Sequence, residues 1–93
     1  MTPETIARTV QVHGHVQGVF FRDSCRQQAD HHQVTGWVRN EYDGSVRACF
    51  EGAPDAVEAM VAWCRVGPSR ARVERVDVEE HAPTGRATFD VLG

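Results

Sequence analysis

Between Gly14 and Arg22 the chain changes period. From Ile6 to His13 apolar and polar residues alternate, with Val10 and Val12 against Thr9, Gln11 and His13, the pattern of a strand with one buried face. From about Arg22 to His32 the spacing becomes helical, because Phe21, Cys25 and Ala29 recur every fourth residue among polar neighbours. The stretch between them, Gly14-His15-Val16-Gln17-Gly18-Val19-Phe20-Phe21-Arg22, carries two glycines and ends in an arginine. Glycine lets a backbone turn several N–H groups towards one point. A helix N-terminus adds partial positive charge, and an arginine adds a planar fork of donors. Such a loop can hold an oxyanion such as phosphate. On its own residues it reads equally as a glycine-rich connection with a surface arginine.

The rest of the chain supplies elements around that loop. Val34 to Asn40 is rich in β-formers and runs into Glu41-Tyr42-Asp43-Gly44, where Asp-Gly is a hairpin signal. In the return strand, Ser45 to Glu51, Val46, Ala48 and Phe50 share an apolar face, with Arg47, Cys49 and Glu51 on the other. Pro54 opens a second helix with the stripe Val57, Met60, Val61 and Cys64, and Trp63 at its margin. Gly67-Pro68 stops it. Val73 to Glu80 predicts a strand with Val76 and Val78 facing the core, and Ala87 to Val91 a last short strand. The order is βαββαβ with one further strand, an α+β two-layer sandwich with two helices on one face of a mostly antiparallel sheet. Which of the last two strands pairs with the first is left open.

At 93 residues the chain is read as one domain, residues 1–93, with one core and no room for a second module. No apolar run approaches the roughly 18 residues a membrane span needs, so no membrane partner is expected. Met1-Thr2-Pro3-Glu4-Thr5 lacks the basic start and apolar run of a secretory signal. Cys25, Cys49 and Cys64 form no Cys-x-x-Cys pair and suit reduced, buried thiols. Both features point to the cytoplasm. Net charge is −3, which argues against a nucleic acid as main partner. The βαββαβ order also serves RNA recognition motifs, but the return strand displays Arg47, Cys49 and Glu51 where those motifs display aromatics.

The loop lacks the lysine and the Ser/Thr magnesium ligand of a nucleotide P-loop. His13, His15, His31 and His32 have no third ligand at a spacing that completes a zinc or iron site, and no cysteine has a base beside it. Asp77, Glu79 and Glu80 read as a solvated strand edge. Asn40, at a strand end, has an amide that can both orient a water and donate to a substrate oxygen; it equally serves turn geometry.

Gly14 to Arg22, Gly36-Trp37-Val38-Arg39-Asn40 with Asp43-Gly44, Phe50-Glu51-Gly52, Trp63-Cys64 and Gly67-Pro68 together resemble the acylphosphatase family over nearly the whole chain. The resemblance implies a ferredoxin-like sandwich and hydrolysis of the carboxyl-phosphate bond of small acyl phosphates, without metal or organic cofactor. It implies that Arg22 binds phosphate and Asn40 positions the attacking water. The backbone of Gln17, Gly18, Val19, Phe20 and Phe21 forms the rest of the cradle, with His15 and Val16 beside it among the phosphate-binding positions. A monomer is expected, and the alternative function is a non-catalytic anion-binding module. Two positions depart from the family pattern: His15, where a basic residue is frequent, and Gln33, where glycine is frequent. A non-glycine residue at the end of that helix is expected to adopt a left-handed conformation.

Overall fold

A computed structural model describes residues 4–93; the N-terminal reading at Met1, Thr2 and Pro3 lies outside them. The elements follow the predicted order: β1 (Ile6–His15), α1 (Phe21–His32), β2 (Thr35–Asn40), β3 (Val46–Gly52), α2 (Pro54–Cys64), β4 (Arg72–His81) and β5 (Phe89–Leu92). One sheet has the order β4-β1-β3-β2-β5. β3 runs antiparallel to both β1 and β2, β4 antiparallel to β1, and β5 parallel to β2. The open question of pairing is thereby answered: β4, not β5, lies beside β1.

The alternation read in the sequence sets the faces. Val10, Val12, Val38, Val46, Ala48 and Phe50 are fully buried beneath the two helices, which contribute Phe21, Cys25 and Ala29 from α1 and Val57, Met60 and Cys64 from α2. Phe21 meets Trp63 with ring centroids 5.1 Å apart, and Phe50 stacks on Phe89 at 6.0 Å, joining α1 to α2 and β3 to β5. All three cysteines are free and buried, as expected. α1 ends on Gln33 at φ 58, ψ 41, with the Gln33 and Val34 N–H groups donating to the Asp30 and Ala29 carbonyls. That is a Schellman cap in which glutamine does the work of glycine.

Two expectations need correction. Val78 does not face a covered core: it is 41% exposed, because β4 is the edge strand and the helices lie over its inner neighbours, while Val76 packs at the core's margin. Nor is the far face of β3 uniformly polar and open. Cys49 and Glu51 are buried there, because the segment after β4 folds across them and donates to the Glu51 carboxylate from Thr84 N–H, Thr84 Oγ1 and Gly85 N–H at 2.9, 2.5 and 3.0 Å. Among the described residues no helix is long and apolar enough to cross a membrane.

Candidate active site

The topology decides where the loop and Asn40 meet. Since β3 is antiparallel to both β1 and β2, those two strands run the same way, and their C-terminal ends lie on one edge of the sheet. β5 runs with β2 and ends there too. The loop after β1, Asn40 at the end of β2 and Val91 in β5 therefore converge. They line a cleft of about 390 Å³ with Gly18, Phe20, Phe21, Arg22 and Asp23.

Local backbone chemistry shapes the loop. β1 slips register against β4 between His13 and Gly14, and Gly14 sits at φ 130 so close to Arg72 that a side chain would overlap the Arg72 carbonyl. The bulge turns the chain out of the sheet. Gly18 follows at φ 73, with open space where a side chain would project. Phe20 is also left-handed, at φ 65 and ψ 24, a conformation that costs a non-glycine residue roughly 1–2 kcal/mol. α1 starts immediately after it, with no side-chain cap and with Asp23 in its first turn.

Among the described residues, the N–H groups of Gln17, Gly18, Val19 and Phe20 donate to no protein acceptor. Consecutive unpaired donors just before a helix N-terminus are the kind of backbone from which an anion nest can be built. Arg22 stands on the first turn of α1. Its Nη1 donates to the backbone oxygen of Gly93 at 2.6 Å and, more weakly, to that of Leu92 at 3.5 Å.

The residues named from the sequence divide by what their side chains do. Val16, Val19 and Phe21 are buried and anchor the loop in the core. Gly18, Phe20, Arg22 and Asn40 line the cleft with Val16 and Phe21. His15 is the exposed last residue of β1, opposite Arg72, and is not among the lining residues. Gln17 lines an adjoining depression with Arg39, Asn40, Glu41, Tyr42 and Gly93.

The side chain of Gln17 was not singled out by sequence reasoning, and neither were Asp23 and Val91 as lining residues. Gln17 Nε2 donates to the carbonyls of Glu41 and Ser45 at 2.7 and 2.9 Å, lacing the loop to the β2–β3 hairpin next to Asn40. The hairpin is braced from within: Asp43 Oδ1 accepts from Ser45 N–H at 2.9 Å and Ser45 Oγ at 2.6 Å, and Gln11 Nε2 donates to Ser45 Oγ at 3.0 Å. The bond from the Ser45 hydroxyl, followed by that from its N–H, holds the Asp43 carboxyl below its ordinary pKa. No group of three or more metal-ligating side chains is assembled among the described residues.

Known proteins resemble this chain along most of its length. A family model described as Acylphosphatase matches residues 8–91. An acylphosphatase from Rubrobacter xylanophilus is 56% identical over 78 residues, covering 84% of this chain and 71% of its own. One from Geobacter sulfurreducens is 52% identical over 87 residues, covering 92% and 96%. The solved structure of an acylphosphatase from Coxiella burnetii superposes with a TM-score of 0.91 at 38% identity, covering 95% of this chain and 93% of that one. With the matched segment spanning β1, the loop, Asn40 and β5, the chain belongs to the acylphosphatase family, hydrolases of acyl phosphates.

Proposed function

We propose that the cleft binds the phosphoryl group of a small acyl phosphate between the guanidinium of Arg22 and the loop N–H groups from Gln17 to Phe21, and that Asn40 holds water in line for attack at phosphorus. The observation that carries this reading is the row of unpaired N–H groups beside Arg22, in a cleft that Asn40 also lines. Water attack breaks the P–O bond to the acyl group. The products are a carboxylate and inorganic phosphate, with the water's proton passing to a phosphoryl oxygen.

So few groups suffice because of the leaving group. A carboxylate, whose conjugate acid has a pKa near 4, departs at neutral pH without a general acid. What remains is positioning and charge stabilisation, which one arginine, fixed N–H dipoles and one water-holding amide supply. No metal or organic cofactor enters this scheme. Residues 1–93 act as one domain and as a monomer. The three buried free thiols suit a reducing cytoplasm, and the net charge of −3 disfavours nucleic acid.

The test is release of inorganic phosphate from benzoyl phosphate in buffer without added metal. Turnover that Arg22→Ala abolishes supports the proposal. Tight phosphate binding with no turnover overturns it in favour of an anion-binding module.

A further inference from the structure

Phe20 is the least economical residue in the cleft. It holds a left-handed backbone that its neighbour Gly18 adopts freely, and 66% of it is exposed. The fold recovers neither cost. Phe20 stands at the N-cap of α1, where its carbonyl accepts from the Ser24 N–H as any residue's would, but its side chain makes no cap bond, and it lies outside the core cluster that Val19 and Phe21 join on either side. Among the described residues its ring meets the Arg70 guanidinium, 5.8 Å from the ring centroid. A glycine here would give the loop the same turn without strain. Most of the ring is left exposed at the cleft, free to meet what enters it.

Around the polar end, where Arg22 and Asn40 lie, the lining is Phe20, Val16 and the 40%-exposed Val91. The cleft, at about 390 Å³, falls within the range of small-molecule pockets and is larger than a phosphate needs. Among the described lining residues the one side-chain carboxylate, Asp23, repels an acyl group that carries its own negative charge.

Resting on the acylphosphatase reading above, we infer that Phe20 is the acyl-group platform and sets substrate class: uncharged, flat, apolar acyl groups, aromatic ones first, are preferred over small or anionic ones. Arg70 steadies the ring, and its free surface packs on the acyl group while Arg22 and the loop hold the phosphate. The contact is remote from phosphorus, so it strengthens binding of substrate and transition state alike and appears chiefly in KM.

The experiment measures kcat and KM for benzoyl, acetyl and succinyl phosphate in wild type, Phe20→Ala, Phe20→Leu and Phe20→Tyr, with thermal melts of these and of Phe20→Gly. The ratio of kcat/KM for benzoyl over acetyl phosphate is expected to fall about five- to tenfold in Phe20→Ala, mostly through KM, less in Phe20→Leu, and to be kept in Phe20→Tyr. Wild type is expected to use succinyl phosphate less well than benzoyl phosphate. Phe20→Gly is expected to melt a few degrees higher than wild type. A ratio unmoved by Phe20→Ala and Phe20→Leu, with both substrates still turned over, overturns the platform and leaves the acylphosphatase reading intact; so does a lower melting point for Phe20→Gly, which would give the ring to the fold. Absence of turnover of any acyl phosphate by wild type overturns the reading itself.

Discussion

The side-chain amide of Gln17 donates to the carbonyl of Glu41 at 2.7 Å, tying the phosphate-loop candidate to the residue that follows Asn40. A second bond from the same nitrogen, to Ser45 at 2.9 Å, grips the other side of the hairpin. The hairpin that follows Asn40 is thus tied to the loop by direct bonds, and Asn40 is held beside it through its neighbour Glu41 and not only by the length of β2. If Asn40 holds water as proposed, loss of that link lets its amide drift from the proposed phosphoryl site, and misplacement by an ångström is enough to cost about a hundredfold in rate. Gln17→Ala is expected to lower kcat about 10- to 100-fold with phosphate affinity little changed, and to cost about 1–2 kcal/mol in denaturant unfolding for the two bonds. Gln17→Glu, which faces two carbonyls with a carboxylate, should be worse on both measures. Full kcat in Gln17→Ala would show that the hairpin holds Asn40 unaided.

Arg22 and Asn40 should fail in different ways. In the proposed mechanism Arg22 supplies charge whose interaction strengthens as the phosphoryl group approaches its transition state, so Arg22→Ala is expected to lower kcat/KM by about 10³-fold or more. Arg22→Lys restores the charge without the fork and should recover only part. Asn40→Ala removes the proposed water holder, so kcat should collapse while inhibition by inorganic phosphate persists. Steady-state kinetics with phosphate as inhibitor separate the two. Parental turnover by Asn40→Ala would remove Asn40 from the mechanism.

Glu51 gives the fold a pH dependence of predictable sign. Burial raises its pKa, but hydrogen bonds from the Thr84 hydroxyl and from the N–H groups of Gly85, Thr84 and Arg86 outweigh it, and the carboxyl ends below its ordinary value. An unfolded glutamate titrates near 4.3. Because the folded pKa lies lower, the stabilisation is fully present above that value and is lost as pH falls through the folded pKa. Asp43 and Asp90, also lowered by hydrogen bonds, act in the same direction from the surface. Glu51→Gln is expected to cost about 2 kcal/mol at pH 7 and to flatten the decline in stability below about pH 5. Equal slopes for the two proteins in urea melts from pH 7 to 3 would mean the Thr84 contacts do not favour the ionised form.

Most of the fold was legible because short-range patterns carried it. The change of period at Gly14, the Asp43-Gly44 turn and Pro54 each act within a few residues, and each element they predicted is present. Their positions at element ends made Arg22 and Asn40 candidates, the family resemblance gave them roles, and their meeting follows from two strands running the same way. What escaped depends on partners far along the chain. Burial of Glu51 requires Thr84, 33 residues away. The exposure of Val78 follows from β4 lying at the edge, which alternation cannot reveal. Gln17's two bonds are to main-chain carbonyls, which leave no mark on sequence.

Gln33 shows where a local rule was broken at a cost the protein tolerates. It completes the Schellman cap of α1 with φ 58, where an L-residue pays roughly 1–2 kcal/mol and glycine pays only its extra backbone entropy, about 0.5–1 kcal/mol. The glutamine is exposed, and among the described residues its side chain makes no hydrogen bond that would offset the difference. Gln33→Gly is therefore expected to stabilise by about 0.5–1 kcal/mol, a rise in Tm of about 2–8 °C for a domain of this size. Gln33→Ala, which keeps the Cβ that causes the strain, should gain nothing. The cap lies at the end of α1 opposite Arg22, so kcat and KM should match wild type in both variants. A gain in Gln33→Ala as large as in Gln33→Gly would place the cost in the glutamine side chain and not in the left-handed backbone.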